Sequence, residues 1–123
     1  MLDIRSPAGP CSVPQSEASS SPDDICRLVT SCVAFDFGLD VDALNAGSGT
    51  ARRAVFARQI AMYLAHVGFG LNFEIVGQAF GRDRTTVAHA CRVIEDSRDD
   101  IWFDCRVATL ELVCRAAIGG DAR

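Results

Sequence analysis

Apolar side chains at Val87, Ala90, Cys91 and Ile94 follow the i, i+3, i+4, i+7 spacing of one helical face, and the same period recurs along most of the chain after Asp23. A first helix is expected to open at Asp23 or Asp24, with Ile25, Leu28, Val29, Cys32 and Val33 in phase. The segment "FGLDVDALNAG" predicts a turn and a short helix, with Leu39, Val41 and Leu44 facing inward. From Ala54 to Val67 one stripe is formed by Phe56, Ile60, Leu64 and Val67, leaving Met62, Ala65 and His66 off it. "GFGLN" breaks that helix. Asn72 is placed to cap a short one over 73–80, with Leu71 and Val76 as a hydrophobic staple.

Gly81 then ends the short helix, a turn of about three residues follows, and Asp83 occupies the N-cap place of the next helix. Two short helices across a tight glycine turn form a helix-turn-helix by pattern. A last helix, from about Arg98 to Ile118, carries two apolar stripes. One holds Ile101, Cys105, Ala108 and Leu112, the other Phe103, Val107, Leu110 and Cys114. Together they are wider than capping a small bundle requires, and the surplus predicts contact with a copy of the chain or a partner, assigned to Phe103, Val107, Leu110 and Cys114. The fold class expected is all-α: a small helical bundle of about six helices containing a helix-turn-helix. Its domain spans 23–118, behind a disordered tail over 1–22 that holds all four prolines, and ahead of a flexible C-terminus over 119–123.

Composition changes this picture in three places. With 123 residues there is room for one core. No apolar run approaches the roughly 20 residues that cross a bilayer, and no basic segment leads an apolar block, so a cytoplasmic protein with no membrane partner is expected. The six cysteines form no C-x-x-C pair and fall mostly on apolar helical phases, as buried free thiols do in a reducing compartment. The third change is charge. A formal net charge of −4 hides a strong asymmetry: residues 1–49 hold two arginines against seven acids, residues 50–92 six against two, and residues 93–123 four against seven. The middle block can therefore face an anion despite the acidic total. Every cation is arginine, whose planar fork suits phosphate and guanine.

The candidate chemistry lies in that block. With the Val87 stripe committed to the core, Arg84, Thr85, Ala88, His89 and Arg92 face outward. Arg84 can fork onto guanine O6 and N7, a threonine can offer methyl or hydroxyl, and Ala88 lets the helix approach a groove floor. The helix N-terminus adds partial positive charge and N–H groups for phosphate, with Asp83 expected to cap them or orient Arg84. Arg58 and Gln59 lie off the stripe of the long helix, after Arg52 and Arg53 on a loop that can follow phosphates or enter a minor groove. Nucleophilic or metal-assisted catalysis has little behind it. The two histidines stand 23 residues apart with no carboxylate pair or phosphate loop, and neither a cofactor nor a metal is expected.

"ARQIAMYLA" followed by "IVGQAFGRDRTTVAHACRVIED" resembles the C-terminal DNA-binding domain of the bacterial replication initiator DnaA. That family's pattern has an Arg-Gln opening a long helix, an "FGGRDHTTV" core and an "HACRKIE"-like continuation; the likeness extends over about residues 24–118. The resemblance implies an all-helical fold, a helix in the major groove and a basic loop at the adjacent minor groove. It places Asp83, Arg84, Thr85 and Thr86 at base-reading positions and Arg58, Gln59 and Arg82 at backbone-contacting or supporting ones. Either Arg52 or Arg53 is then the minor-groove arginine. Arg84 replaces the family's histidine and the turn is one residue shorter, which implies an altered base preference.

No G-x-x-x-x-G-K-[ST] loop is present, so an initiator acting alone is not expected. The variant "FGRDRTTVAHACR" resembles alphaproteobacterial regulators, activators of gene-transfer-agent (prophage-like) genes among them. The expected function is a sequence-specific double-stranded DNA-binding transcription regulator, an activator before a repressor, with RNA polymerase or another regulatory protein as partner. Because few base contacts select poorly within a genome, repeated sites, a homodimer or a DNA-bending protein are expected to help. A replication regulator at initiator boxes and a protein-binding adaptor that has kept the fold are the alternatives.

Overall fold

A computed structural model describes residues 21–45 and 52–119. The expectations for the N-terminal tail, for Cys11, for most of the loop before Arg52 and for the last residues fall outside these. Six α-helices follow one another: α1 (Pro22–Phe37), α2 (Val41–Asn45), α3 (Arg52–Tyr63), α4 (Phe73–Phe80), α5 (Arg84–Ser97) and α6 (Ile101–Gly119). A single π-helical turn, Leu64–Gly68, extends α3. Among the described residues no strand occurs.

Helix α1 opens slightly earlier than its periodicity implies. The Ser21 hydroxyl accepts the Asp24 N–H (3.2 Å), Pro22 takes a first-turn position, and Asp23 and Asp24 meet the positive end of the dipole. Its buried face runs through Cys26, Val29, Thr30, Val33, Ala34 and Phe37, and the Thr30 hydroxyl donates to the Cys26 carbonyl (2.7 Å), so no polar atom of Thr30 enters the core unpaired. In α2 only Leu44 is buried; Val41, expected to face inward, is exposed.

Helix α3 is the centre of the bundle, packed on α1 on one side and α5 on the other. Its burial is therefore nearly all round, and the single stripe expected for it is too narrow. Met62 and Ala65, expected off the stripe, are buried, while Val67, expected on it, is 46% exposed. The π turn explains the last point: its wider winding advances each residue by less than 100° and rotates Val67 away from the face shared by Ile60 and Leu64.

Helix α6 packs chiefly on α1 and on the π turn. It starts three residues later than expected, after a corner at 98–100 where the Asp100 carboxylate accepts the Trp102 N–H (2.9 Å). Arg98 ties this corner down, donating to Asp104 (2.5 Å) and to the Tyr63 hydroxyl (3.1 Å); the bond to Asp104 raises its pKa above the usual guanidinium value. The stripe expected to meet a partner is the one that closes the core: Val107, Leu110 and Cys114 are buried, and Phe103 packs its ring 5.3 Å from that of Phe56. The other stripe is left outward, with Ile101 and Leu112 each 69% exposed. The inward stripe is the bulkier of the two, with Phe103 reaching the Phe56 ring of α3.

Candidate nucleic-acid interface

The helix-turn-helix is built on a tight junction. Asn72 accepts the Ile75 N–H (2.8 Å) at the start of α4, as its position predicts. At the other end Gly81 adopts φ 67°, its N–H reaching the Gln78 carbonyl (3.4 Å), while the Arg82 N–H reaches that of Gly77 (2.8 Å). Gly77 has a steric role as well: a Cβ there would lie 2.6 Å from the Arg82 carbonyl oxygen. The turn thus passes directly over the α4 backbone, which fixes where α5 begins.

On α5 the expected inner face is the observed one: Val87, Ala90, Cys91 and Ile94 are buried. Asp83, Arg84, Thr85, Thr86, His89 and Arg92 are exposed and Ala88 is half-buried. Asp83 has the extended backbone of an N-cap (φ −69°, ψ 152°), yet its side chain makes no capping hydrogen bond. The expected cap is therefore backbone only. The first-turn N–H groups keep their donor capacity, and the carboxylate stands outward beside Arg84.

Sites from two helices converge beside this end of α5. Arg58, Gln59 and Met62 of α3 share a concavity of about 100 Å³ with Arg82, Thr86 and His89. Arg52, Arg53, Phe56 and Gln59 line the adjoining hollow, so the strip continues to the start of α3. On the other side, Glu74 and Gln78 of α4 border the hollow that holds Arg82, Asp83 and Arg84. Periodicity assigns these two no role; the signal available is their place one and two turns before Gly81.

Burial divides the arginines. Arg58, expected outward, is 8% exposed, and its Nη1 donates to the Leu44 carbonyl (2.9 Å). Burial and the neighbouring Arg82 cation lower its pKa, though a guanidinium stays charged at neutral pH. It therefore braces α2 against α3 under the surface strip. Arg53 donates to the Phe37 carbonyl and lies over the Phe37 ring. Among the described residues Arg52 has no such anchor and is exposed. Two further arginines of α6 also bind within the fold, Arg106 to Asp36 (2.8 Å) and Arg115 to the Gly68 carbonyl (2.7 Å).

A short helix, a glycine turn and a second helix whose N-terminus is exposed, basic and small-featured define an all-α helix-turn-helix DNA-binding domain. Residues 26–94 match the family described as bacterial dnaA protein helix-turn-helix, and the chain belongs to that family. It is 44% identical over 84 residues to the chromosomal replication initiator protein DnaA of Bifidobacterium animalis subsp. lactis, which covers 65% of this chain and 14% of that protein. It is 41% identical over 83 residues to the same-named protein of Corynebacterium jeikeium, covering 67% of this chain and 14% of the relative. The chain thus spans about one seventh of the length of these relatives. A solved structure described as that of a DNA replication initiation factor superposes with a TM-score of 0.72 at 28% identity, over 79% of this chain and 30% of the other. No described helix is long and apolar enough to cross a membrane, and among the described residues no group of three or more histidines, cysteines and acids is gathered to hold a metal ion.

Proposed function

We propose that this chain reads double-stranded DNA in a sequence-specific manner and regulates transcription. Helix α5 enters the major groove by its N-terminal turns, with Arg84 and Thr85 reading bases and Asp83 accepting from a base amino group. Arg52 follows the minor groove or the backbone, and Arg92 and Gln59 hold phosphates. The observation that carries this reading is the exposed face from Asp83 to Arg92, continuous with the Arg52 end of α3. Ala88 supports it, since a half-buried alanine mid-face lets the helix axis approach the bases.

Arg84 sets the target. A forked donor prefers guanine, so the preferred site carries a guanine at the position Arg84 faces. Activation is the sign favoured by the resemblance to activators of gene-transfer-agent genes, with RNA polymerase as the partner, and a DNA-bending protein adds selectivity at sites with few base contacts. Replication control is the second reading, favoured by the names of the relatives, chromosomal replication initiator proteins.

Genome-wide binding of the wild type and of Arg84→Ala tests both. Sites upstream of genes that lose occupancy in Arg84→Ala are the expected result. Occupancy confined to the replication origin supports the second reading, and none above background overturns both. In vitro, Arg84→Ala should weaken the selected site by about 1–3 kcal/mol, roughly 5–150-fold, with little change on unrelated DNA.

A further inference from the structure

Between α1 and α6 runs an open, mainly apolar groove of about 680 Å³ lined by Cys32, Phe35, Trp102, Cys105, Thr109 and Val113. Its lining includes the largest exposed apolar side chains of the described residues, Phe35 (88% exposed) and Trp102 (83%), with Val113; Ile101 and Leu112 are exposed on the adjoining outward face of α6. We propose that this face is the interface of a two-fold symmetric homodimer in which α6 pairs antiparallel with α6 of a second copy.

The order of side chains along α6 argues for a copy as the occupant. Ile101 and Val113, Trp102 and Leu112, and Cys105 and Thr109 stand at equal distances on either side of position 107. Large groups lie at both ends of the outward face and small ones, Cys105, Ala108 and Thr109, at its middle. When such a helix is turned end for end, each bulky end meets the other bulky end of its partner. The small middle lets the two axes come within the 8–10 Å of packed helices. A face that is its own complement is what an isologous contact requires, and it closes on two copies.

Area points the same way. A buried aromatic ring accounts for about 150–250 Å², so the five exposed side chains present roughly 600 Å² of apolar surface, at the top of what monomers carry. With a polar rim this reaches the ~800 Å² per partner of a stable interface. Two other occupants fit less well. The rim charges are already satisfied within the fold, Arg106 by Asp36 and Arg115 by Glu111, and so call for no oppositely charged partner. Residues 1–20 contain no aromatic residue and only four large aliphatic or thioether side chains, Met1, Leu2, Ile4 and Val13, too few to cover the face.

Pairing here leaves α5 uncovered, because α5 packs on α3 and α4 whereas α6 packs on α1 and the π turn. A dimer would thus present two reading helices at once.

Sedimentation equilibrium of the full chain, without DNA and under reducing conditions, tests the pairing independently of what the protein reads. The expected result is a concentration-dependent rise from 13.2 kDa to twice that mass. Leu112→Glu should weaken association at least tenfold with unchanged helicity, and Val67→Glu, exposed on the π turn, should not affect it. A wild type that stays at the monomer mass up to millimolar concentration overturns the proposal, as does a dimer that survives both Leu112→Glu and Trp102→Glu.

Discussion

Arg58 and Arg52 stand six residues apart on one helix and differ in what holds them. Arg58 is buried and donates to the Leu44 carbonyl, and removing it deletes that charge-assisted bond, at a cost of about 1–3 kcal/mol. Arg52 is exposed at the first position of α3, where an alanine should change stability by less than about 0.5 kcal/mol. Arg58→Ala should therefore lower the urea midpoint clearly, and Arg52→Ala should leave it in place. In DNA titrations the order reverses in kind: Arg52→Ala should flatten the dependence of log affinity on log salt by about 0.9 if it neutralises one phosphate. Equal effects of the two substitutions on stability would show that burial does not divide the arginines this way. The motif "ARRAVFARQ" could not separate these roles, because what buries Arg58 is α2, whose short helix gives almost no signal of where it docks.

At the scale of elements, the junction between α4 and α5 depends on two glycines for different reasons. At Gly81 the strain is in the backbone: φ is 67°, and an alanine there costs roughly 1–2 kcal/mol. At Gly77 the conformation is helical, so alanine would gain about 1 kcal/mol of propensity. Against that gain stands a Cβ 2.6 Å from the Arg82 carbonyl oxygen, a backbone atom that cannot swing aside. The clash should win, with Gly77→Ala losing about 1–3 kcal/mol as an overpacked site does. It should also lose DNA affinity beyond the unfolded fraction, because relief of the clash moves the start of α5. Gly81→Ala should lose stability while the folded fraction keeps its affinity. Thermal melts and binding measured on the same two proteins check this.

The same elements show what was legible beforehand. α5 was readable because a surface helix buries one face, so Val87, Ala90, Cys91 and Ile94 stand out against polar neighbours. α3 was not: a helix packed from several sides has no polar face to mark its phase, and the π turn shifts the register after Tyr63. In α6 both stripes were visible, but which one faces the core depends on the shape of the groove between α1 and the π turn.

For the whole molecule, the absence of lysine has a thermodynamic consequence. Arginine keeps its charge far above neutrality, so apart from a single tyrosine the alkaline titration of this chain falls chiefly on its six cysteines. Among the five described, three are buried. Burial, aided by Asp23 and Glu95 respectively, pushes Cys26 and Cys91 from the ordinary value of 9.0 up to about 11. Cys114, buried against Cys32, is pushed up to about 12. A raised folded-state pKa means that the folded chain holds these protons after the unfolded chain has released them. Their contribution is fully present below pH 9 and is lost as pH rises toward 11 and 12. Each thiol in that window lowers stability by about 1.4 kcal/mol per pH unit, so three together approach 4 kcal/mol per unit. Over the two units from pH 9 to 11 the loss approaches about 8 kcal/mol, comparable with a total of roughly 5–15 kcal/mol, so the domain should lose most of its stability as pH nears 11. Urea midpoints measured under reducing conditions should be flat from pH 7 to 8.5 and then fall steeply. Cys91→Ala, which starts from a lower midpoint because of its cavity, should show a slope reduced by about one third. An unchanged slope in that variant would mean that other groups drive the alkaline transition.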